Sequence, residues 1–264
     1  MIMTDVNRVR GLLRKLRDPQ NGSSWNQKQS FQSIVPYTIE EAYEVADAIE
    51  EGNWSSLSGE LGDLLYHVLY FCELGEAKEY FTFESVLVEL ENKVITRNPD
   101  IFKSTSSKTK SIDSSRSWEE GKAIDRRKAG MTSELDDIPK GLPATSVSKK
   151  IQSRVAGVGF DWPDIHGVLE KVEEELEELK VELHNNHSEA HLAEELGDLM
   201  FTLINFSRHA SIDPESALRM ANKKFERRFR ALEEKIAASG LTFRSISNQK
   251  LNRLWEEVKN ESKS

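Results

Sequence analysis

From Val168 to Leu183, the residues Leu169, Val172, Leu176, Leu179 and Leu183 recur at spacings of three and four, with glutamates filling most of the gaps. That period sets one apolar stripe along a helix and leaves the charge on the opposite side. A polar turn, His184-Asn185-Asn186-His187, interrupts the pattern, and Leu192, Leu196, Leu199, Leu203 and Phe206 then resume it. A third helix is predicted to open at Asp213-Pro214, an N-cap residue followed by proline in the first helical position. Ser239-Gly240 supplies its stop. Nearer the start, Glu51-Gly52-Asn53 marks the turn of an earlier helical hairpin. The predicted fold class is all-α.

The chain repeats itself. Glu40-Glu41-Ala42-Tyr43-Glu44 returns as Glu174-Glu175-Leu176-Glu177-Glu178, and Glu60-Leu61-Gly62-Asp63-Leu64 returns as Glu195-Leu196-Gly197-Asp198-Leu199. Trp118-Glu119-Glu120-Gly121-Lys122 returns as Trp255-Glu256-Glu257-Val258-Lys259. Three markers in one order mean a duplicated domain. Seven serines lie between Ser104 and Ser117, where large apolar residues are scarce. The organisation read from this is an N-terminal helical bundle over 1–103 with a closing helix near 115–128. A serine-rich linker region over 104–136 and a second helical bundle over 137–264 follow.

Composition narrows the function classes. A formal net charge of −9 argues against a dedicated nucleic-acid binder, which carries a basic face. The apolar stretches are short and broken by charge, so none spans a bilayer, and Met1 to Arg17 lacks the apolar run of a secretory signal. One cysteine, Cys72, cannot form an internal disulfide and fits a reducing compartment. The expectation is a cytoplasmic protein with no membrane partner.

The acid is placed rather than spread. Glu175 and Glu178 are three residues apart, as are Glu195 and Asp198, so each pair projects from one helix face. The two pairs are equidistant from the turn at 184–187, and equidistant residues of an antiparallel hairpin face each other. Glu41, Glu44, Glu60 and Asp63 obey the same rule about Gly52. Four carboxylates at one level repel unless protons or a cation neutralise them. Oxygen-only ligands select a hard ion, magnesium with manganese as substitute. A solvated acidic face, the commoner meaning of a glutamate run, describes Glu170, Glu173, Glu177 and Glu182. Lys224 and Arg228 share a face of the third helix at a matching distance from its turn, which suits phosphate beside the metal; pairing with surface glutamates is the alternative. Trp255 either stacks on a base or closes the bundle. Trp25 and Trp162 are assigned to packing, and His67 and His209 to ordinary helix positions.

These residues resemble the MazG family of nucleoside triphosphate pyrophosphohydrolases, whose pattern is Glu-Glu-x-x-Glu followed at a distance by Glu-x-x-Asp. The resemblance extends through Leu16-Arg17-Asp18-Pro19, Pro36-Tyr37-Thr38, Gly59 to Leu65, Val158 to Trp162 and Lys224 to Phe229. The acidic motif alone is shared with dimeric dUTPases and phosphoribosyl-ATP pyrophosphatases. The resemblance implies magnesium held by Glu175, Glu178, Glu195 and Asp198, nucleotide contacts at Lys171, Glu174, Lys224, Arg228 and Trp255, and a homodimer. It places activity mainly in the second copy; Glu41, Glu44, Glu60 and Asp63 are the first copy's candidate metal set by their matched height about Gly52. His191, Ala193 and Gly22-Ser23-Ser24-Trp25-Asn26 depart from the family's usual residues.

The carboxylates and cations point to metal-assisted hydrolysis of a phosphoanhydride; cleavage between the α and β phosphates follows from the resemblance. Glu174, beside Glu175, is the candidate to activate water. A helical module that binds nucleotide without turnover, and a hydrolase restricted to dUTP, are the alternatives. No glycine-rich phosphate loop occurs, which disfavours a P-loop NTPase.

Overall fold

The computed structural model describes residues 5–102, 114–184 and 188–262, with the backbone alone for 99–100 and 114–120. Among them every regular element is a helix, and the chain divides into two compact units, 1–122 and 123–264. The division falls inside the closing helix, α7 (Ser114–Lys128), at Lys122/Ala123. The serine-rich stretch 104–113 and the turn residues 185–187 lie outside the described residues.

The first unit is built on a hairpin of α3 (Phe31–Glu50) and α4 (Trp54–Ala77). Ser30 caps α3 in a reciprocal pair with Ser33, and Asn53 caps α4 by accepting from the Ser56 N–H. Between them Gly52 takes φ +66°, a left-handed conformation that glycine adopts without a Cβ penalty. Helix α1 (Val6–Leu16) packs on α4, and α5 (Phe83–Arg97) follows it. Leu13, Ile34, Leu69, Tyr70 and Leu74 form the core, with Phe31, Tyr66 and Phe83 against them. Cys72 lies within α4, 2% exposed. Arg10, itself buried, donates from Nε to Glu73 at 2.8 Å, and Arg14 reaches the other oxygen of Glu73 at 2.7 Å. A charge pair at that depth locks α1 onto α4, because breaking it would strand a buried ion.

The second unit repeats the hairpin as α9 (Ile165–His184) and α10 (Glu189–His209). Helix α8 (Ala144–Gly157) packs on α10 and on α11 (Pro214–Ala238), and α12 (Asn248–Glu261) packs on α11. The predicted start and stop of α11 are both found: the Asp213 side chain accepts from the Ser216 N–H, Pro214 opens the helix, and Gly240 follows it at φ +68°. Leu232, Ile236 and Val258 form the core between α11 and α12, joined by Phe229, Leu254 and Trp255.

The predicted apolar stripes of α9 and α10 are helical, but much of their length is uncovered. Val168 and Ile204 are buried, whereas Leu169, Leu176, Leu183, Leu196 and Leu203 are exposed. The same holds at matching positions of the two copies. Leu61, Leu65 and Val68 on α4 correspond to Leu196, Met200 and Leu203 on α10, and all six are between 40% and 53% exposed.

Candidate metal and phosphate site

Helix periodicity brings the acidic pairs to one level, as the spacing predicts. On α9 and α10, Glu175, Glu195 and Asp198 each offer an oxygen, and the three oxygens lie within 4.8 Å of one another. On α3 and α4, Glu41, Glu60 and Asp63 do the same. The fourth carboxylate stands just outside each triad, and it is the same one both times, Glu178 and Glu44. Their charges nevertheless reach the group. Burial, and then the negative charges of Glu178, Asp198 and Glu175, push the Glu195 carboxyl above its usual range. Burial, and then a hydrogen bond and charge repulsion with Glu60, raise Glu44. Glu41 is raised by burial and by Glu44, Asp63 and Glu60.

The donor set fits a hard divalent cation. Every ligand atom is a carboxylate oxygen, and in the first copy Glu41 Oε2 is sealed from solvent with no hydrogen-bond partner. An anionic oxygen without a partner is the atom that a cation would satisfy. The second copy differs. Lys171, one helical turn before Glu175, places Nζ 2.8 Å from Glu175 Oε1 and 2.7 Å from Glu174 Oε1. Hydrogen bonds to Glu174 and then to Glu175 push the ammonium's proton affinity well above the ordinary lysine value. Lys171 and Glu174, both expected at the nucleotide, are therefore brought onto the triad.

Lys224, Arg228 and Trp255 are placed differently. Lys224 is exposed on α11. Arg228 donates from Nε to Ser262 Oγ at 2.8 Å, and Trp255 lies 5.6 Å, centroid to centroid, from Phe225 within the α11–α12 contact. Among the described residues no ion pair joins Lys224 or Arg228 to the triad. Of the two readings of Trp255, the packing one accounts for its place against the α11–α12 core, and the residue is partly buried.

Sequence reasoning missed three arrangements. Asp161 accepts hydrogen bonds from Arg208 and, at 3.0 Å, His209, which fastens the 158–164 loop to the end of α10. Burial alone would raise the Asp161 carboxyl, but the bonds from Arg208 and His209 hold it below its usual range. His209 is thus a loop anchor rather than an ordinary helix position. His67, one turn after Asp63, is 7% exposed with Nδ1 unpartnered, and burial lowers its pKa despite the opposing pull of Asp63. Its spacing from Asp63 was the available signal. Trp25 meets Tyr37 edge-on and Trp162 stands against Gly167, yet they stay 47% and 42% exposed.

A helical hairpin that aligns carboxylates from two helices, with a lysine beside them, defines an all-α protein with a carboxylate cluster fit to hold a cation. The MazG nucleotide pyrophosphohydrolase domain matches residues 29–102 and again 165–232, the two stretches that contain the two hairpins. The Escherichia coli (strain K12) nucleoside triphosphate pyrophosphohydrolase is 40% identical over 258 residues, covering 97% of this chain and 98% of that protein. The Thermotoga maritima nucleoside triphosphate pyrophosphohydrolase/pyrophosphatase MazG is 40% identical over 248 residues, covering 94% and 93%. The Bacillus subtilis uncharacterized protein YabN is 37% identical over 98% of this chain, which corresponds to 52% of that longer protein. The chain belongs to the MazG nucleotide pyrophosphohydrolase family, with the domain in tandem.

Proposed function

We propose that this protein is a magnesium-dependent nucleoside triphosphate pyrophosphohydrolase of broad base range, releasing nucleoside monophosphate and pyrophosphate, with the second copy carrying the chemistry. The observation that carries this reading is the α9–α10 triad with Lys171 beside it, inside the second stretch that matches the family. Glu175, Glu178, Glu195 and Asp198 would hold the ion, which supplies Lewis-acid neutralisation of the phosphate oxygens. Lys171, Lys224 and Arg228 bind the remaining negative charge of the triphosphate, and Trp255 stacks on the base. Glu174, 58% exposed at its side chain, would take a proton from the attacking water. In the first copy Glu41, Glu44, Glu60 and Asp63 form a second metal set.

The working assembly is a homodimer in the cytoplasm. Apolar side chains recur uncovered at the same repeat positions of α4 and α10, and a second copy of the chain, presenting the same stripe, is the partner that would bury them.

Incubation with each ribo- and deoxyribonucleoside triphosphate and magnesium tests the activity. Monophosphate and pyrophosphate are the expected products, and turnover should vanish with chelator. Diphosphate and orthophosphate appearing first would overturn the bond assignment, and full turnover in excess EDTA would overturn the metal.

A further inference from the structure

The two copies carry the same acids but differ at one neighbouring position. Lys171 precedes Glu175 by four residues, and Tyr37 precedes Glu41 by four. In the second copy Glu175 is 5% exposed, and its Oε1 is met by the Lys171 ammonium at 2.8 Å. In the first copy Tyr37 turns its ring toward Trp25 and His67, 6.1 and 6.4 Å away between centroids. Among the described residues no cation pairs with Glu41 in the ammonium's place, and Glu41 Oε2 is left sealed and without a hydrogen-bond partner. A buried carboxylate needs a counter-charge, and the two copies meet that need in different ways.

We propose that Lys171 is an internal stand-in for the metal, its ammonium neutralising Glu175 while nucleotide is absent, so that the second copy takes a divalent ion poorly on its own whereas the first copy takes it readily. This rests on the carboxylate triads being metal sites. A divalent ion at the second triad must share Glu175 with an ammonium already hydrogen-bonded to it, and the like charges repel. A polyphosphate competes with Glu174 and Glu175 for the same ammonium. Drawing Lys171 onto phosphate frees Glu175 for the ion, so ion and nucleotide favour each other's entry at this copy, and by linkage each does so to the same degree. The lysine thereby becomes a positioning residue for the ion as well as a phosphate contact.

The test uses the full chain and manganese alone, with free Mn2+ followed by electron paramagnetic resonance. Glu60→Gln with Asp63→Asn silences the first triad, and Glu195→Gln with Asp198→Asn silences the second, so each copy is read separately. The first copy should bind Mn2+ at least about tenfold tighter than the second, within the range typical of such couplings. Lys171→Met in the first-silenced chain should tighten binding by a similar factor, and Tyr37→Lys in the second-silenced chain should weaken it. Lys171→Gln replaces the methionine variant if circular dichroism shows lost helix. Equilibrium dialysis at fixed free Mn2+ with α,β-methylene-ATP should load the second copy in the parent chain, with a smaller gain over the nucleotide-free state in Lys171→Met. Mn2+ affinity unmoved by both Lys171 variants overturns the stand-in while leaving the metal sites standing. Failure of every chain to bind Mn2+ overturns both.

Discussion

Glu195, Glu41 and Glu44 hold their protons more tightly in the folded chain than in the unfolded one, because burial and neighbouring carboxylates penalise their charge. The sign of the consequence follows from linkage. Their contribution to stability is present below the ordinary carboxylate range and is lost as pH rises through their raised values, so the metal-free clusters destabilise the fold at neutral pH. Asp161 and Asp213 act oppositely. Salt bridges that overcome burial lower both, and their contribution is lost only as pH falls through those lowered values. In EDTA the melting temperature should therefore rise on moving from neutral to mildly acidic pH, then fall in stronger acid. Magnesium should stabilise most at neutral pH and lose that effect as the raised carboxylates protonate; thermal melts across pH check this, and a magnesium shift independent of pH would refute it. The acids themselves were legible in the sequence because helix spacing and distance from a turn determine their height. The Arg208–Asp161–His209 group was not, because Asp161 meets its partners across more than forty residues and through loop geometry that no period encodes.

At the scale of the helix, caps and stops were the most readable features. Asp213, Pro214 and Gly240 mark the ends of α11, and Gly52 marks the α3–α4 turn, since each residue type answers a local backbone requirement. The 3.6-residue period likewise placed Leu196 and Leu203 on the apolar side of α10. It did not reveal what that side meets, because periodicity gives the direction of a face and not its partner. Both residues, with Met200, remain uncovered within the unit. Replacing Met200 and Leu203 together by Glu should leave helical content near normal and convert the dimer to monomer, read by analytical ultracentrifugation. Charging an interface costs far more than charging a solvated face, where substitutions stay within about 0.5 kcal/mol. A parent chain already monomeric at micromolar concentration would contradict the proposed assembly.

Across the whole molecule, duplication was visible from three motif repeats, and the ends of the copies were read from composition. The serine-rich stretch sets the expected linker region at 104–136, with a closing helix near 115–128, and the two compact units divide at Lys122/Ala123, within that helix. Because both copies hold the same triad, acid content alone does not assign the chemistry. The cations favour the second: Lys171 has Tyr37 as its counterpart, and Arg227 stands where the first copy has Thr96. Glu178→Ala should lower turnover beyond the roughly 10–100-fold typical of a residue that only supports a metal ligand, and Asp198→Ala should do likewise. Glu44→Ala should cost far less at equal folding, and a fragment spanning 137–264 should keep most of the activity. The reverse order of damage would move the working site to the first copy.

The burial of Cys72 makes the chain its own reporter. Alkylation requires a thiolate that solvent can reach, and burial both covers this sulfur and raises its pKa. With one cysteine in 264 residues, every labelling event in the intact protein counts an opening of the first unit around α4. The second unit is silent to the reagent. The rate of thiol modification is thus a clock for one copy of a duplicated fold, running without any engineered probe, and ligands that slow it do so by closing the first unit.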